Sequence, residues 1–137
     1  MPTDISVSTD TLRRGTSRAW LAGPHGADLP KHAVYDFNLF AHANFTALGY
    51  IPNGTLLGVV TATGKVGPYS DAATDGRQTA IGWAFNDTTI PANKAKVVTD
   101  AYLSHCGVRV SGLPFKTGDG ALDANARTDL DDCVFYG

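Results

Sequence analysis

Glutamate is missing from this chain: all 13 acidic residues are Asp. Glu is a good helix former, whereas Asp competes with the helical backbone and favours caps and turns. The absence therefore argues against a fold built on long helices. Long apolar runs are missing too, and no stretch is long enough to span a membrane. The first residues are polar and lack the apolar core of a secretory signal. The expectation is a protein made in a cytoplasm. The formal net charge is only −2, so no global attraction to nucleic acid or to a membrane is built in. Cysteine is nearly absent, with Cys106 and Cys133 alone. They are able to pair, but a cytoplasmic origin favours free, buried thiols.

What is abundant fits a β-rich, loop-rich fold: 15 Gly, 7 Pro and many Thr. Apolar residues make up 43% and charged residues 18%, which is the composition of a folded domain rather than a disordered chain. A length of 137 residues implies one domain with room for an arm, and it suffices to bury a core without staples. The sequence predicts a mainly β (α+β) fold: a small β-meander or barrel-like domain over residues 21–137 with one or two short helices. Residues 1–20 are read as an extended N-terminal arm.

Chemistry-bearing constellations are sparse. His105, Cys106 and Cys133 suggest zinc or a thiol nucleophile. Adjacent residues of a strand point to opposite faces, however, so His105 and Cys106 do not converge on one ion, and no orienting group for a nucleophile is identifiable. His25 and His32 lie in a loop with no third and fourth ligand at a recognisable spacing. Asp71 and Asp75 lack the dense oxygen-ligand spacing of a calcium loop. The glycines at 54, 58, 64, 67, 76 and 82 precede no helix signal, and Lys65 is misplaced for a P-loop. Neither a metal, nor a cofactor, nor catalysis is expected. Tyr69, Trp83 and Tyr102 offer rings for stacking on a sugar, and a small carbohydrate-binding module is the alternative reading. Asn44, Asn53 and Asn86 each open a glycosylation pattern, read as chance matches in a Thr-rich chain.

Along the chain, Ile5 and Val7 alternate with small polar residues, which suits an edge strand too weak to stand alone. Leu12, Arg13, Arg14, Arg18 and Trp20 follow as anchors and positive charge. The C-terminal end is acidic, with Asp119, Asp123, Asp129, Asp131 and Asp132. Tyr35, Phe37 and Leu39 alternate and predict a strand. Lys96–Thr99 predicts a short strand, and Gly107–Val110 another. Ala101–Cys106 fits either a strand or a helical turn. Asp123 is placed to cap a short helix packed through Leu122, Ala126 and Leu130, and Cys133–Tyr136 reads as a closing strand.

The organising stretch is Ile51–Phe85. Pro52 and Asn53-Gly54 mark a turn, and Thr55–Thr61 is an apolar, β-branched run of strand length. Thr63-Gly64 and Asp75-Gly76 are further turns, and Ile81, Trp83 and Phe85 are expected on one face of a strand. The sequence of Pro52, Gly54, Thr55, Leu57 and Gly58, then Asp75-Gly76, then Gly82, resembles the head decoration proteins of tailed bacteriophages, the lambda protein D type. Gly107-Val108-Arg109, Leu113-Pro114-Phe115 and Gly120–Ala124 continue the likeness, which spans roughly residues 34–136. The resemblance implies a structural protein on the exterior of the virion. It implies a homotrimer at the three-fold sites of the mature, expanded capsid, with the major capsid protein as partner and no direct contact with nucleic acid or membrane. It also implies that an N-terminal segment adds a strand to the capsid protein. Ile5, Val7, Leu12, Arg13, Arg14 and Trp20 are the residues expected to face the capsid.

Overall fold

The computed structural model describes residues 18–23 and 30–137. Among them are nine strands. β1 is Lys31–Val34, β2 Tyr50–Ile51, β3 Leu56–Val59, β4 Val66–Pro68 and β5 Ala80–Ala84. β6 is Thr88–Thr89, β7 Thr99–Leu103, β8 Gly107–Arg109 and β9 Val134–Tyr136. Two short α-helices, α1 (Ala43–Thr46) and α2 (Ala124–Asp129), and two 3-10 turns, Phe37–Leu39 and Val110–Gly112, complete the set. The fold is mainly β, as the Asp-only, Gly-rich composition predicts.

The main sheet is antiparallel, in the order β1-β7-β5-β3-β4. It is open, but it curls. The chain leaving β1 crosses to the opposite edge, where Tyr35 bridges Val66 of β4 and Asp36 N–H donates to the Val66 carbonyl at 2.9 Å. Two cores result, one on each face. Trp20, Leu56, Tyr69, Ala80, Trp83 and Leu103 fill one. Tyr35, Phe37, Phe40, Phe45, Leu57 and Ala84 fill the other. Leu56 and Leu57 are adjacent, so they point to opposite faces, and both are fully buried. That double burial is why β3 reads as a continuous apolar run instead of alternating.

Two expected strands are different in the structure. Tyr35–Leu39 is not a strand: Tyr35 makes a single bridge, and Phe37–Leu39 is a 3-10 turn. Asp36 caps it, accepting from Asn38 N–H at 3.1 Å. Phe37 and Phe40 both reach the core, and their spacing of three suits a helical turn rather than a strand. Lys96–Thr99 is not a strand either. Val97 is 70% exposed, and pairing starts at Thr99, opposite Val34. This settles Ala101–Leu103 as strand.

The strand β5 departs from simple alternation. Leu57 faces Gly82 but Gly58 faces Ala80, so Ile81 is the extra residue of a bulge, which shifts the alternation by one. Ala80, Trp83 and Phe85 share one core while Ile81 packs against the other. The expectation that Ile81 shares a face with Trp83 and Phe85 is thus corrected.

The C-terminal elements follow the sequence reading. Asp123 caps α2, its carboxylate accepting from Ala126 N–H at 2.9 Å, and Ala126 and Leu130 are buried beside Leu122. Six residues do not hold a helix in water, so this packing stabilises it. β9 then pairs with β8 in parallel, a pairing that requires the long crossover through α2.

Candidate functional site

Ile5, Val7, Leu12, Arg13 and Arg14, and with them the arm itself, lie outside the described residues, as does His25. What the structure gives is the point where that segment joins the body. Arg18–Ala22 runs antiparallel to β8. Leu21 bridges Val108, Ala22 N–H donates to the Gly107 carbonyl at 3.0 Å, and Arg109 N–H donates to the Trp20 carbonyl at 2.6 Å. The side chains add a second set of ties. Arg18 Nε donates to the Phe85 carbonyl at 2.7 Å and Nη2 to Asn86 Oδ1 at 2.8 Å. Its guanidinium sits 3.9 Å from the centre of the Phe85 ring, a cation–π distance.

Trp20 belongs to the core and not to a capsid-facing surface. It is 1% exposed, with its ring 6.0 Å from that of Trp83. Its indole Nε1 donates to Asn53 Oδ1 at 2.7 Å. Asn53 is held in turn by Asp87, whose Oδ1 accepts from both the backbone N and Nδ2 of Asn53 at 2.8 Å. A side chain this buried packs as part of the folded body. A shallow cleft of about 230 Å³ opens beside the clamp, with Tyr50, Pro52, Asp87 and Pro114 in its walls. It is smaller than the roughly 300 Å³ at which small-molecule pockets usually begin.

The family-like residues 52–58 build this clamp. Pro52 and Asn53 lie in the turn between β2 and β3, where the Thr55 hydroxyl donates to the Pro52 carbonyl at 2.7 Å. Gly54 has φ +87°, and a Cβ there would stand 2.6 Å from Trp20 Cδ1. The position needs Gly both for its backbone and for the indole lying on it. Leu57 and Gly58 are in β3, where Leu57 is core. Gly82 in β5 lies against the Leu103 carbonyl of β7 with no space for a side chain. Asp75 and Gly76 turn the loop after β4. Asp75 accepts from Arg77 Nε at 3.1 Å. Desolvation is the largest single influence and opposes it, but the Arg77 hydrogen bonds and charge together hold the Asp75 carboxyl below its usual 3.8.

A polar network runs behind Arg18 and was not legible in the sequence. Asn86 Nδ2 donates to Asp100 Oδ1 at 2.9 Å, and Thr88 Oγ1 donates to Asp100 Oδ2 at 2.5 Å. Tyr35 lies against the same group. Burial first, then the Asp100 charge, push its hydroxyl pKa well up, with the Thr88 hydrogen bond opposing. Arg18 and Asp100 stand far apart in the chain, so no local pattern joins them.

Of the rings offered for sugar stacking, Tyr69 and Trp83 are 1% and 0% exposed, whereas Tyr102 is half-buried. Tyr69 donates to Asp123 Oδ1 at 2.8 Å, and burial followed by that bond raises its pKa strongly. Among the described residues no group of three or more His, Cys or Asp side chains is gathered for a metal. Cys106 and Cys133 are free and buried. Among the described residues the exposed large apolar side chains are Leu48, Val97, Val134 and Tyr136. The last two flank buried-facing Phe135 on β9, which pairs only with β8 among the described residues.

No curated protein and no solved structure matches the chain. A family model does: bacteriophage lambda head decoration protein D, over residues 41–133. That span covers more than half of the chain and takes in the Pro52–Gly58 turn, the β3–β5 core and the capped helix α2. The chain belongs to the bacteriophage lambda head decoration protein D family.

Proposed function

We propose that three copies of this chain bind at the three-fold sites on the outer surface of the expanded phage capsid and cement it against the pressure of packaged DNA. The N-terminal segment adds a strand to the major capsid protein, with Ile5, Val7, Leu12, Arg13 and Arg14 as its contacts. The family match carries the decoration reading. The support for the arm is the clamped root. Arg18–Ala22 is already tied to β8 and to Trp20's pocket, so a pull on the residues before it is passed to the core. Strand addition draws its affinity from backbone hydrogen bonds and its specificity from alternate side chains, which suits the sparse apolar pattern of Ile5 and Val7.

Cementing is a linkage effect. A subunit that binds only the expanded shell stabilises that state by about 3–4 kcal/mol per site at roughly 100 to 1,000 times Kd. A trimer on a three-fold axis repeats one contact three times and gains avidity. Nothing in this scheme calls for DNA contact, in keeping with a net charge of −2.

The test is co-sedimentation with empty expanded shells and, in parallel, with unexpanded procapsids. Saturable binding to expanded shells alone, at three copies per three-fold site, is expected. The arm is tested by deleting residues 1–17. A deletion through Trp20 would remove a core residue and confuse loss of binding with loss of fold. The shortened chain should keep its thermal midpoint and lose the shell, and undiminished binding would refute the arm.

A further inference from the structure

We propose that Cys106 and Cys133 form a reactive thiol pair, which a small hydroperoxide converts into an intramolecular disulfide that fastens β9 to β8. The register makes the pair. Gly107 stands opposite Val134 in the parallel β8–β9 ladder, and Cys106 and Cys133 each lie one residue earlier. Val134 N–H donates to the Cys106 carbonyl at 3.1 Å, which holds that register up to the cysteines. Neighbouring strands lie about 4.8 Å apart, within the roughly 4.4–6.8 Å separation of Cα atoms that a disulfide spans. Both side chains enter the same apolar core, where the Cys133 thiol donates to the Ser104 carbonyl at 3.6 Å.

The surroundings distinguish the two thiols. Trp83 is fully buried, its indole N–H has no hydrogen-bond partner among the described residues, and its influence on Cys133 favours the thiolate. An orphaned buried donor is costly. The neighbouring Cys106 thiol is the larger influence and lowers the Cys133 thiol against the opposing effect of burial, with the Trp83 indole assisting. The same proximity, with burial, raises Cys106. Cys133 is also the less enclosed, at 7% exposure against 1%. It precedes β9, whose one partner strand among the described residues is β8, an edge position that opens locally more readily than a central strand.

The chemistry balances with the peroxide as the only oxidant. The Cys133 thiolate attacks one oxygen of ROOH. A sulfur–oxygen bond forms, the oxygen–oxygen bond breaks, and the alkoxide leaves and is protonated to ROH. The Cys106 sulfur then attacks the sulfenic sulfur. The sulfur–sulfur bond forms, the sulfur–oxygen bond breaks, and hydroxide leaves with the Cys106 proton as water. Two thiols lose two electrons to one peroxide.

The experiment uses the purified full-length chain and hydrogen peroxide, with no shell present, so its failure leaves the decoration reading standing. Intact mass should fall by the two hydrogens of one disulfide per chain, with both thiols lost together and no cross-linked dimer. The thermal midpoint should rise by about 10 °C for a loop of roughly 28 residues and return on reduction. In Cys106→Ala the reaction should stop at a sulfenic acid on Cys133, trapped by dimedone, whereas Cys133→Ala should react far more slowly. The proposal is overturned if both thiols resist peroxide in the native protein but react in denaturant. It is equally overturned by sulfinic acid or interchain bonds as the main product, or by a disulfide that lowers the midpoint.

Discussion

Replacing Trp20 with Ala separates a core role for this residue from a capsid-facing one. The indole is 1% exposed and packs on Trp83, and truncating a buried aromatic to Ala costs about 3–5 kcal/mol. The variant also removes the donor to Asn53 Oδ1, and a buried acceptor deprived of its partner costs about 1–3 kcal/mol. The combined loss is about 4–6 kcal/mol, since the two contributions overlap at one site. Domains of this size are stable by about 5–15 kcal/mol, so the variant should be barely folded at 37 °C. The midpoint of thermal unfolding should fall by roughly 20 °C. Trp20→Phe keeps most of the apolar area and loses the N–H, so it should cost only about 1–3 kcal/mol. Urea unfolding of the three chains, followed by far-UV circular dichroism, measures these differences without any capsid. A loss below about 1 kcal/mol for Trp20→Ala, within the range of an exposed position, would refute the placement of this ring in the core. It would return Trp20 to the surface available to a partner.

Three further outcomes are expected. Asp123→Ala removes both the cap of α2 and the acceptor for the Tyr69 hydroxyl. It should cost about 2–4 kcal/mol in urea unfolding, whereas Asp123→Asn, which keeps an acceptor oxygen for both donors, should lose less than half of that. Gly82→Ala places a methyl group against the Leu103 carbonyl. Because backbone cannot yield as a flexible side chain does, the β5–β7 ladder must open, at a cost of about 3 kcal/mol or more, seen as early hydrogen exchange of Trp83 and Ala84. For Asp75, the folded carboxyl titrates below its usual 3.8, so its contribution is complete above that value and is lost as the pH falls through the folded pKa. The thermal midpoint of the native chain should therefore drop towards that of Asp75→Asn on acidification from about pH 5 to 2, and midpoints that keep a constant separation over that window would contradict the assignment.

Local grammar was the legible part of the fold. The turns at Asn53-Gly54 and Asp75-Gly76 and the Asp123 cap are written in residues that lie within a few positions of one another. Their conformations follow from the backbone freedom of Gly and the short polar side chain of Asp and Asn. Tyr35, Phe37 and Leu39 alternate with a period of two, but the spacing of Phe37 and Phe40, with Asp36 as cap, is the pattern the 3-10 turn follows. Lys96–Thr99 has the β-branched residues of a strand, yet Val97 is left in solvent with no strand beside it.

Sequence alone determined the class of this protein. An acid content made only of Asp, with abundant Gly and Thr, disfavours long helices and supplies turns. The order of Pro52–Gly58, Asp75-Gly76 and Gly82 led to the family. Tertiary structure decided the rest, because each deciding contact joins residues distant in the chain. The pairing of Arg18 with Asn86, of Trp20 with Asn53 and of Gly107 with Val134 depends on which strands become neighbours. That choice is made by burying both faces of β3 and β5 at once, a property of the assembled sheet that no local run of residues encodes.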